Sequence, residues 1–199
     1  MILADLTFEQ VIEDMSACEQ TQGMSVLEHG QLVNLYYQDL MTHLETGAPL
    51  MYQWRLPEWV TDFKSTILKE VYSAETMNAY QIMHDCGKPY CLIVDNEGKK
   101  HFPNHAKVSY EVAKVIMPDQ PLVQQLIKMD MDIHCLKSEG LDDFADKYEC
   151  VSLLVTGMCE IHANASMFGG IESTSFKIKW KQIDKRGRQI LNKFVEKNA

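Results

Sequence analysis

The sequence predicts an all-α fold, built as a compact helical bundle. Apolar residues recur at helical spacing in seven or more segments, and apolar and polar residues do not alternate over any sustained stretch before residue 176. Two helix starts carry capping boxes, namely Thr7 with Gln10 and Ser25 with Glu28. No stretch of the 199 residues is typical of a linker, so we expect a single domain.

Helical segments follow one another along the chain. The first opens at Thr7 and is broken at Gly23, and the second starts at Ser25 and runs to residue 44. The others cover residues 57–71, 77–84, 105–115, 122 to about 134, a short stretch around Phe144, 149–168 and 190–195. The segment before residue 84 is expected to end with Gly87 as its cap, and Pro89 prevents its continuation. Asn104 is expected to cap the helix that begins with His105.

Three stretches depart from the helical pattern. Residues 46–57 contain a glycine and two prolines and are expected to form a loop. A small hairpin or an ordered loop is expected at residues 90–102, around the turn-forming residues Asp-Asn-Glu-Gly at 95–98. At residues 176–182, Phe, Ile and Trp alternate with lysines, which favours a further short strand.

The composition is that of an ordinary globular protein, with 46% apolar and 24% charged residues. No apolar run approaches the ~20 residues of a membrane-spanning helix, and the acidic start is not typical of a signal peptide. The six cysteines form no Cys-x-x-Cys pair, which favours reduced thiols over a disulfide framework. We therefore expect a cytoplasmic protein with no membrane partner.

The charge is unevenly distributed along the chain. Residues 174–199 hold eight basic residues against two acidic ones, a net charge of +6, within a chain of net charge −9. The remainder, with 11 basic against 26 acidic residues, carries −15, which argues against broad coating by nucleic acid. The basic segment can still hold one polyanion locally, although lysines on an edge strand also prevent aggregation.

The sequence Met-His-Asp-Cys-Gly-Lys-Pro at residues 83–89 concentrates chemically active groups. The imidazole of His84 and the carboxylate of Asp85 can ligate one metal ion. Lys88 places a cation where an anionic substrate can bind, although a lysine near a helix end can also simply interact with the helix dipole. Gly87 allows the backbone to turn.

Four of the seven histidines lie on or beside the apolar stripe of a different expected helix: His29, His84, His105 and His134. The alternative is four buried structural histidines that hydrogen-bond to the backbone. Helices of a bundle can bring such side chains together into a metal site, however, and neutral imidazole with carboxylate suits Zn, Fe, Ni, Mn or Co.

The chain resembles the HD superfamily of metal-dependent phosphohydrolases through His29-Gly30, His84-Asp85 with its Gly-Lys-Pro, His105 and His134. The segment from His84 to "HFPNHAKVSYEVAKVI" is similar to the HD domain of CCA-adding tRNA nucleotidyltransferases, without their nucleotidyltransferase head. The resemblance covers about residues 25–165 of a single HD domain, 1–199, and implies one or two divalent transition-metal ions.

The family normally ends its ligand set with an Asp, whereas the matching position here is Glu160. Leu153, Gly157, Glu160 and Asn164 share one helix face, and a carboxylate in so apolar a helix is costly unless it is paired or metal-bound. We therefore favour Glu160 as the last ligand. The alternatives are Asp142, Asp143 and Asp146, at an acidic helix start.

The resemblance implies hydrolysis of a phosphate ester of a nucleotide or an RNA end. In that interpretation Asp85 anchors the metal and Lys88 neutralises charge on the transferred phosphate. His101 and Lys107 are candidate substrate-binding residues, although both are equally well explained as surface residues. Two other functions stay open: a di-iron oxygenase with the same ligand pattern, and a regulatory binding protein whose site is impaired by Glu160.

Overall fold

The computed structural model describes residues 3–21 and 23–198 and confirms the all-α prediction. Its helices are α1 (Phe8–Ala17), α2 (Val26–Thr46), α3 (Glu58–Asp62), α4 (Lys64–Glu70), α5 (Ala74–Met83), α6 (Lys88–Cys91), α7 (His105–Ile116), α8 (Pro121–Cys135), α9 (Leu141–Ala145), α10 (Cys150–Met167) and α11 (Thr174–Asn198). Within these residues the strands form two short antiparallel hairpins, β1 (Glu19–Thr21) with β2 (Met24–Ser25) and β3 (Ile93–Val94) with β4 (Lys100–His101). The β3–β4 hairpin confirms the one expected at residues 90–102. The β1–β2 hairpin was not predicted.

The capping boxes form as the sequence predicts. The Thr7 hydroxyl oxygen accepts a hydrogen bond from the Gln10 N–H at 3.2 Å. At the start of α2, the Glu28 carboxylate accepts from the Ser25 N–H at 2.7 Å, and the Ser25 hydroxyl oxygen accepts from the Glu28 N–H at 3.2 Å. Asn104 precedes α7 as expected. Its backbone is left-handed (φ 55°), and its side chain makes no capping hydrogen bond to the start of the helix.

The described residues group into two units. The first contains the chain up to Leu32 together with Ala74–Met131, and the second contains Val33–Ser73 and the chain from Asp132 onward. Fully buried side chains fill each unit, such as Met15, Met77 and Leu126 in the first and Trp59 and Leu153 in the second. That the whole chain forms one domain stays a prediction.

The prediction of a strand at residues 176–182 is wrong, because this stretch lies inside α11. Over the full helix, the buried side chains recur at helical spacing: Phe176, Ile183, Gly187, Ile190, Leu191 and Phe194. Ile178, which suggested the alternation, is 56% exposed. Trp180 is half-buried because its ring lies against the Arg55 guanidinium and its indole N–H donates to the Arg55 carbonyl at 2.6 Å.

The loop expected at residues 46–57 is present and is held by a buried carboxylate. Asp39 on α2 accepts hydrogen bonds from the N–H groups of Met51 and Tyr52 and from the Trp54 indole. No helix within residues 3–21 and 23–198 is long and apolar enough to cross a membrane.

Candidate metal centre

The residues around the His-Asp pair form a turn between two helices. α5 ends at Met83, and Gly87 precedes the four-residue helix α6 with right-handed backbone angles (φ −84°, ψ −13°). The expectations that Gly87 caps the preceding helix and that Pro89 ends it are therefore wrong. Pro89 lies in the first turn of α6, where a missing N–H costs no intrahelical hydrogen bond.

Two glycines allow backbones to approach closely around this turn. A Cβ atom added to Gly87 would lie 2.2 Å from the backbone nitrogen of Ser109 on α7. A Cβ atom added to Gly30 on α2 would lie 2.3 Å from the carbonyl oxygen of Ile82 on α5. Since real Cβ atoms do not approach backbone so closely, only glycine fits at either position. The two contacts bring α2 against the end of α5 and α7 against the turn.

The Asp85 carboxylate lies at the centre of the polar groups in this unit. Its side chain is 3% exposed. One oxygen, Oδ2, lies 3.1 Å from Nε2 of His84 and 4.0 Å from Nε2 of His29. The other oxygen, Oδ1, lies 3.8 Å from Nε2 of His105. The rings of His29 and His84 are in edge contact, with their centroids 5.3 Å apart. Three of the predicted histidine ligands therefore surround the predicted carboxylate.

Two of these imidazoles are oriented by backbone carbonyls. Nδ1 of His84 lies 2.7 Å from the Gln81 carbonyl oxygen, and Nδ1 of His105 lies 3.1 Å from the Phe102 carbonyl oxygen. A carbonyl oxygen only accepts, so Nδ1 carries the proton and donates in both rings. In the neutral ring Nε2 then presents a lone pair, and in both rings Nε2 faces Asp85. This is the usual arrangement of histidines that bind metals through Nε2.

The donor set fits a transition-metal ion. Lone pairs on Nε2 and on a carboxylate oxygen repel each other unless a cation, either a metal ion or a proton, lies between them. Two atoms that bind one ion at about 2.0–2.2 Å lie about 3.0–3.5 Å apart. The His84–Asp85 spacing of 3.1 Å lies in that range, and the spacings of 3.8 and 4.0 Å exceed it by a few tenths of an ångström. Imidazole with carboxylate suits Zn, Fe, Mn, Co or Ni.

Asp85 is ionised, as a metal ligand must be. Its complete burial would raise the pKa of the carboxyl group, but the polar groups around it, above all the Lys88 ammonium, outweigh that effect. They hold the pKa of Asp85 well below its usual range.

Lys88 lies inside the site. Its ammonium donates to Oδ2 of Asp85 at 2.6 Å and to the side-chain oxygen of Gln20 at 2.9 Å, and it lies 5.4 Å from the centre of the Phe102 ring. The residue is only 9% exposed. α6 is a single turn of four residues and has no long stack of peptide dipoles, so interaction with a helix dipole does not explain the position of Lys88. Gln20, in the unpredicted β1–β2 hairpin, carried no signal in the sequence.

The two candidate substrate-binding residues lie at the surface. His101 on β4 is exposed and pairs with Asp95 across the β3–β4 turn at 2.7 Å. Lys107 is exposed on the first turn of α7. Neither position contradicts a substrate role, which stays a prediction.

The remaining predicted ligands, His134 and Glu160, lie in the second unit and contact each other. Nε2 of His134 is 2.7 Å from Oε2 of Glu160, and both side chains are about one-fifth exposed. Gly157 allows α10 to pack closely against the end of α8 beside this pair, because a Cβ atom there would lie 2.8 Å from the Ile133 side chain.

The alternative carboxylates differ from Glu160 in their surroundings. Asp142 and Asp146 are exposed and form ion pairs with Lys193 and Lys197 of α11, and Asp143 is also exposed. Among the described residues, none of the three pairs with a histidine. The ion pairs of Asp142 and Asp146 are typical of an acidic helix start at the surface. These surroundings favour Glu160 over the three aspartates as the last ligand.

No family model matches the chain, and comparisons with characterised proteins and with solved structures give no significant match. The resemblance to HD phosphohydrolases therefore rests on the sequence motifs alone.

Proposed function

We propose that this protein is a metal-dependent phosphohydrolase that acts on a phosphate ester of a nucleotide or an RNA end. One observation carries the proposal: the buried Asp85 carboxylate lies within 4.0 Å of the Nε2 atoms of three histidines and of the Lys88 ammonium. The HD-like order of these residues in the sequence supports the same function.

The charges of the site suit a phosphate ester. Neutral imidazoles add no charge, and the Asp85 carboxylate is balanced by the ammonium of Lys88. The charge of a bound divalent ion is therefore left to attract an anionic substrate. When bound, such an ion supplies an acidified water molecule and polarises a phosphoryl oxygen.

The residues of the chain have distinct roles in this proposal. Asp85 and the Nε2 atoms of His29, His84 and His105 hold the ion, and the carbonyl oxygens of Gln81 and Phe102 fix two of the rings. Lys88 is 2.6 Å from Asp85, so its ammonium lies beside the ion and can bind a phosphate oxygen of the substrate. Gln20 holds that ammonium in position through its side-chain oxygen.

Metal analysis of the purified protein, paired with a screen of nucleotides and 2′,3′-cyclic nucleotides, tests the proposal. Asp85→Asn removes the anchoring charge while keeping the shape, so we expect loss of bound metal and of hydrolysis. Asp119→Asn, the same change at an exposed position of the same unit, should leave both unchanged. Turnover by Asp85→Asn at the rate of the wild type would contradict the proposal.

Asp85→Asn also leaves the Lys88 ammonium buried without its charged partner, which is destabilising in its own right. The double variant Asp85→Asn with Lys88→Gln removes that charge as well. Circular dichroism and thermal unfolding should show a native fold for the double variant, still without metal. Recovery of metal in the double variant would show that Asp85→Asn had acted through the fold.

The last ligand is tested by a matched pair of substitutions in the second unit. Glu160→Ala should lower bound metal or activity, because it removes the carboxylate that contacts His134. Asp143→Ala, at an exposed position of α9, should change neither. The reverse result would assign the role to Asp143.

The same measurements distinguish the other two functions. Two bound irons, absorbance in the visible region and consumption of oxygen would identify an oxygenase. Absence of tightly bound metal and of any turnover would identify a regulatory binding protein.

A further inference from the structure

A basic groove lies on the second unit, between α11 and the segment that joins α8 to α9. It has a volume of about 240 Å³ and contains four cationic side chains, Lys137, Lys181, Lys185 and Arg186. Gln182 and Gln189 add amide groups to its lining. No carboxylate and no aromatic side chain is among the described residues that line it.

The cations of this groove differ from their neighbours on the same helix. Elsewhere on α11, Lys177 pairs with Glu172 at 2.7 Å and Arg188 pairs with Asp62 at 2.9 Å. Lys193 and Lys197 also pair with carboxylates, on α9 and directly after it. Four of the five basic residues of α11 outside the groove therefore have acidic partners, the exception being Lys179. No acidic side chain is among the described residues that line the groove around its cations.

Arg186 is fixed where it contributes to the groove. Its guanidinium donates to the carbonyl oxygens of Ile133 and His134 at 3.4 Å, at the end of α8. The two carbonyls bind one end of the planar guanidinium. Its remaining N–H groups can donate hydrogen bonds to phosphate oxygens. Lys181 and Lys185 are one helical turn apart, about 6 Å along the axis, so they can contact successive phosphates.

We propose that this groove binds a run of two or more linked phosphates, from the backbone of a single-stranded nucleic acid or from a polyphosphate chain. The described lining offers lysines, an arginine and amides but no aromatic ring for a base to stack on, so we expect recognition by phosphate, independent of base sequence. Arg186 also joins the groove to the backbone of His134. Only the choice of RNA as the natural ligand rests on the proposed function.

The experiment titrates the full-length protein, treated with EDTA, with two probes. One is a fluorescein-labelled 12-nucleotide single-stranded RNA followed by anisotropy, and the other is tripolyphosphate followed by calorimetry. We expect Lys181→Gln with Lys185→Gln to weaken binding about tenfold or more and to reduce the salt slope by about 1.4, at ~0.7 per lost phosphate contact. Lys193→Gln with Lys197→Gln makes the same change in charge on the same helix at paired positions, and should change affinity less than twofold.

Each outcome is decisive. Saturable binding of RNA alone identifies a nucleic acid as the ligand, and binding of tripolyphosphate alone identifies a small polyphosphate. Equal losses in the two double variants would show a non-specific charge effect and overturn the proposal, as would the absence of saturable binding by either probe. Since the protein is free of metal, failure of the proposed hydrolysis leaves these results unaffected.

Discussion

Two kinds of histidine in this protein differ in what their two ring nitrogens contact. In His162 both nitrogens meet backbone groups: Nδ1 donates to the Met158 carbonyl and Nε2 accepts from the Arg55 N–H. Burial lowers the pKa of His162 to about 4, against the smaller raising effects of these hydrogen bonds. In His84 and His105, Nδ1 donates to a carbonyl but Nε2 faces the Asp85 carboxylate. The second kind is suited to bind a metal.

At this scale the sequence could indicate the residues but not their geometry. The predicted ligands His29, His84 and Asp85 lie together. They could be predicted because a His-Asp pair and a histidine on the apolar face of a helix can be recognised in the sequence. The Gln20–Lys88 hydrogen bond joins residues 68 positions apart, and no periodicity reports such a contact. Likewise, tautomers depend on carbonyl positions, which the sequence does not specify.

Lys88→Ala tests the cation beside the site. We expect the variant to retain its metal and to lose about 10²-fold or more in rate, because an ammonium that meets the charge of the transition state has an effect of that size. Lys114→Ala, which removes an exposed ammonium paired with Glu111 on α7, is the matched control and should be fully active. Full activity in Lys88→Ala would move the proposed function away from phosphoryl transfer.

At the scale of elements, close contacts of backbone position the site. Gly30 and Gly87 allow α2 and α7 to reach the His-Asp turn, and the Gly87 N–H donates to the Ser109 hydroxyl at 2.9 Å. Both glycines were visible in the sequence, but the reason expected for Gly87 was a turn. Gly87 has ordinary right-handed angles, so the glycine is required by its neighbour and not by its conformation.

Gly87→Ala should therefore destabilise the protein by about 2–3 kcal/mol, as expected for atoms forced into a packed interior. Gly140→Ala is the control, since a Cβ atom there would meet only the Leu136 side chain at 3.5 Å, an ordinary contact. Urea unfolding of the two variants measures the difference in the free energy of unfolding. Equal stability would show that α7 can move away from the turn without cost.

α11 shows where a short pattern misleads. The alternation of Phe176, Ile178 and Trp180 covers five residues, a window too short to separate a strand from a helix. The period over the whole element is helical, and Gly187 allows the Trp59 ring to pack directly on the α11 backbone. A pattern search over more residues would have predicted the helix. The contact between Gly187 and Trp59 could not be predicted, because the two residues are far apart in the sequence.

At the scale of the whole molecule, the charge asymmetry has a structural use. The basic segment is not a free tail: Arg188, Lys193 and Lys197 pair with carboxylates of α3, of α9 and of the residue after it. The acidic residues that make the rest of the chain negative thus include partners of α11. The sequence predicted the charge distribution but could not indicate which charges pair, since these partners lie more than 50 residues apart in most cases.

The burial of the cysteines has a practical consequence for labelling. All six are free thiols, and Cys135 at the end of α8 is the one that is exposed. Burial raises the pKa values of Cys86 and Cys159, and raises that of Cys150 to about 12, so these thiols stay protonated and unreactive. With a chromogenic disulfide reagent we expect one fast reaction in the native protein and six in denaturant. Several fast reactions in the native state would contradict the packing described here. Because Cys135 directly follows His134, a single fluorophore attached there would report on that histidine and on the basic groove without any substitution.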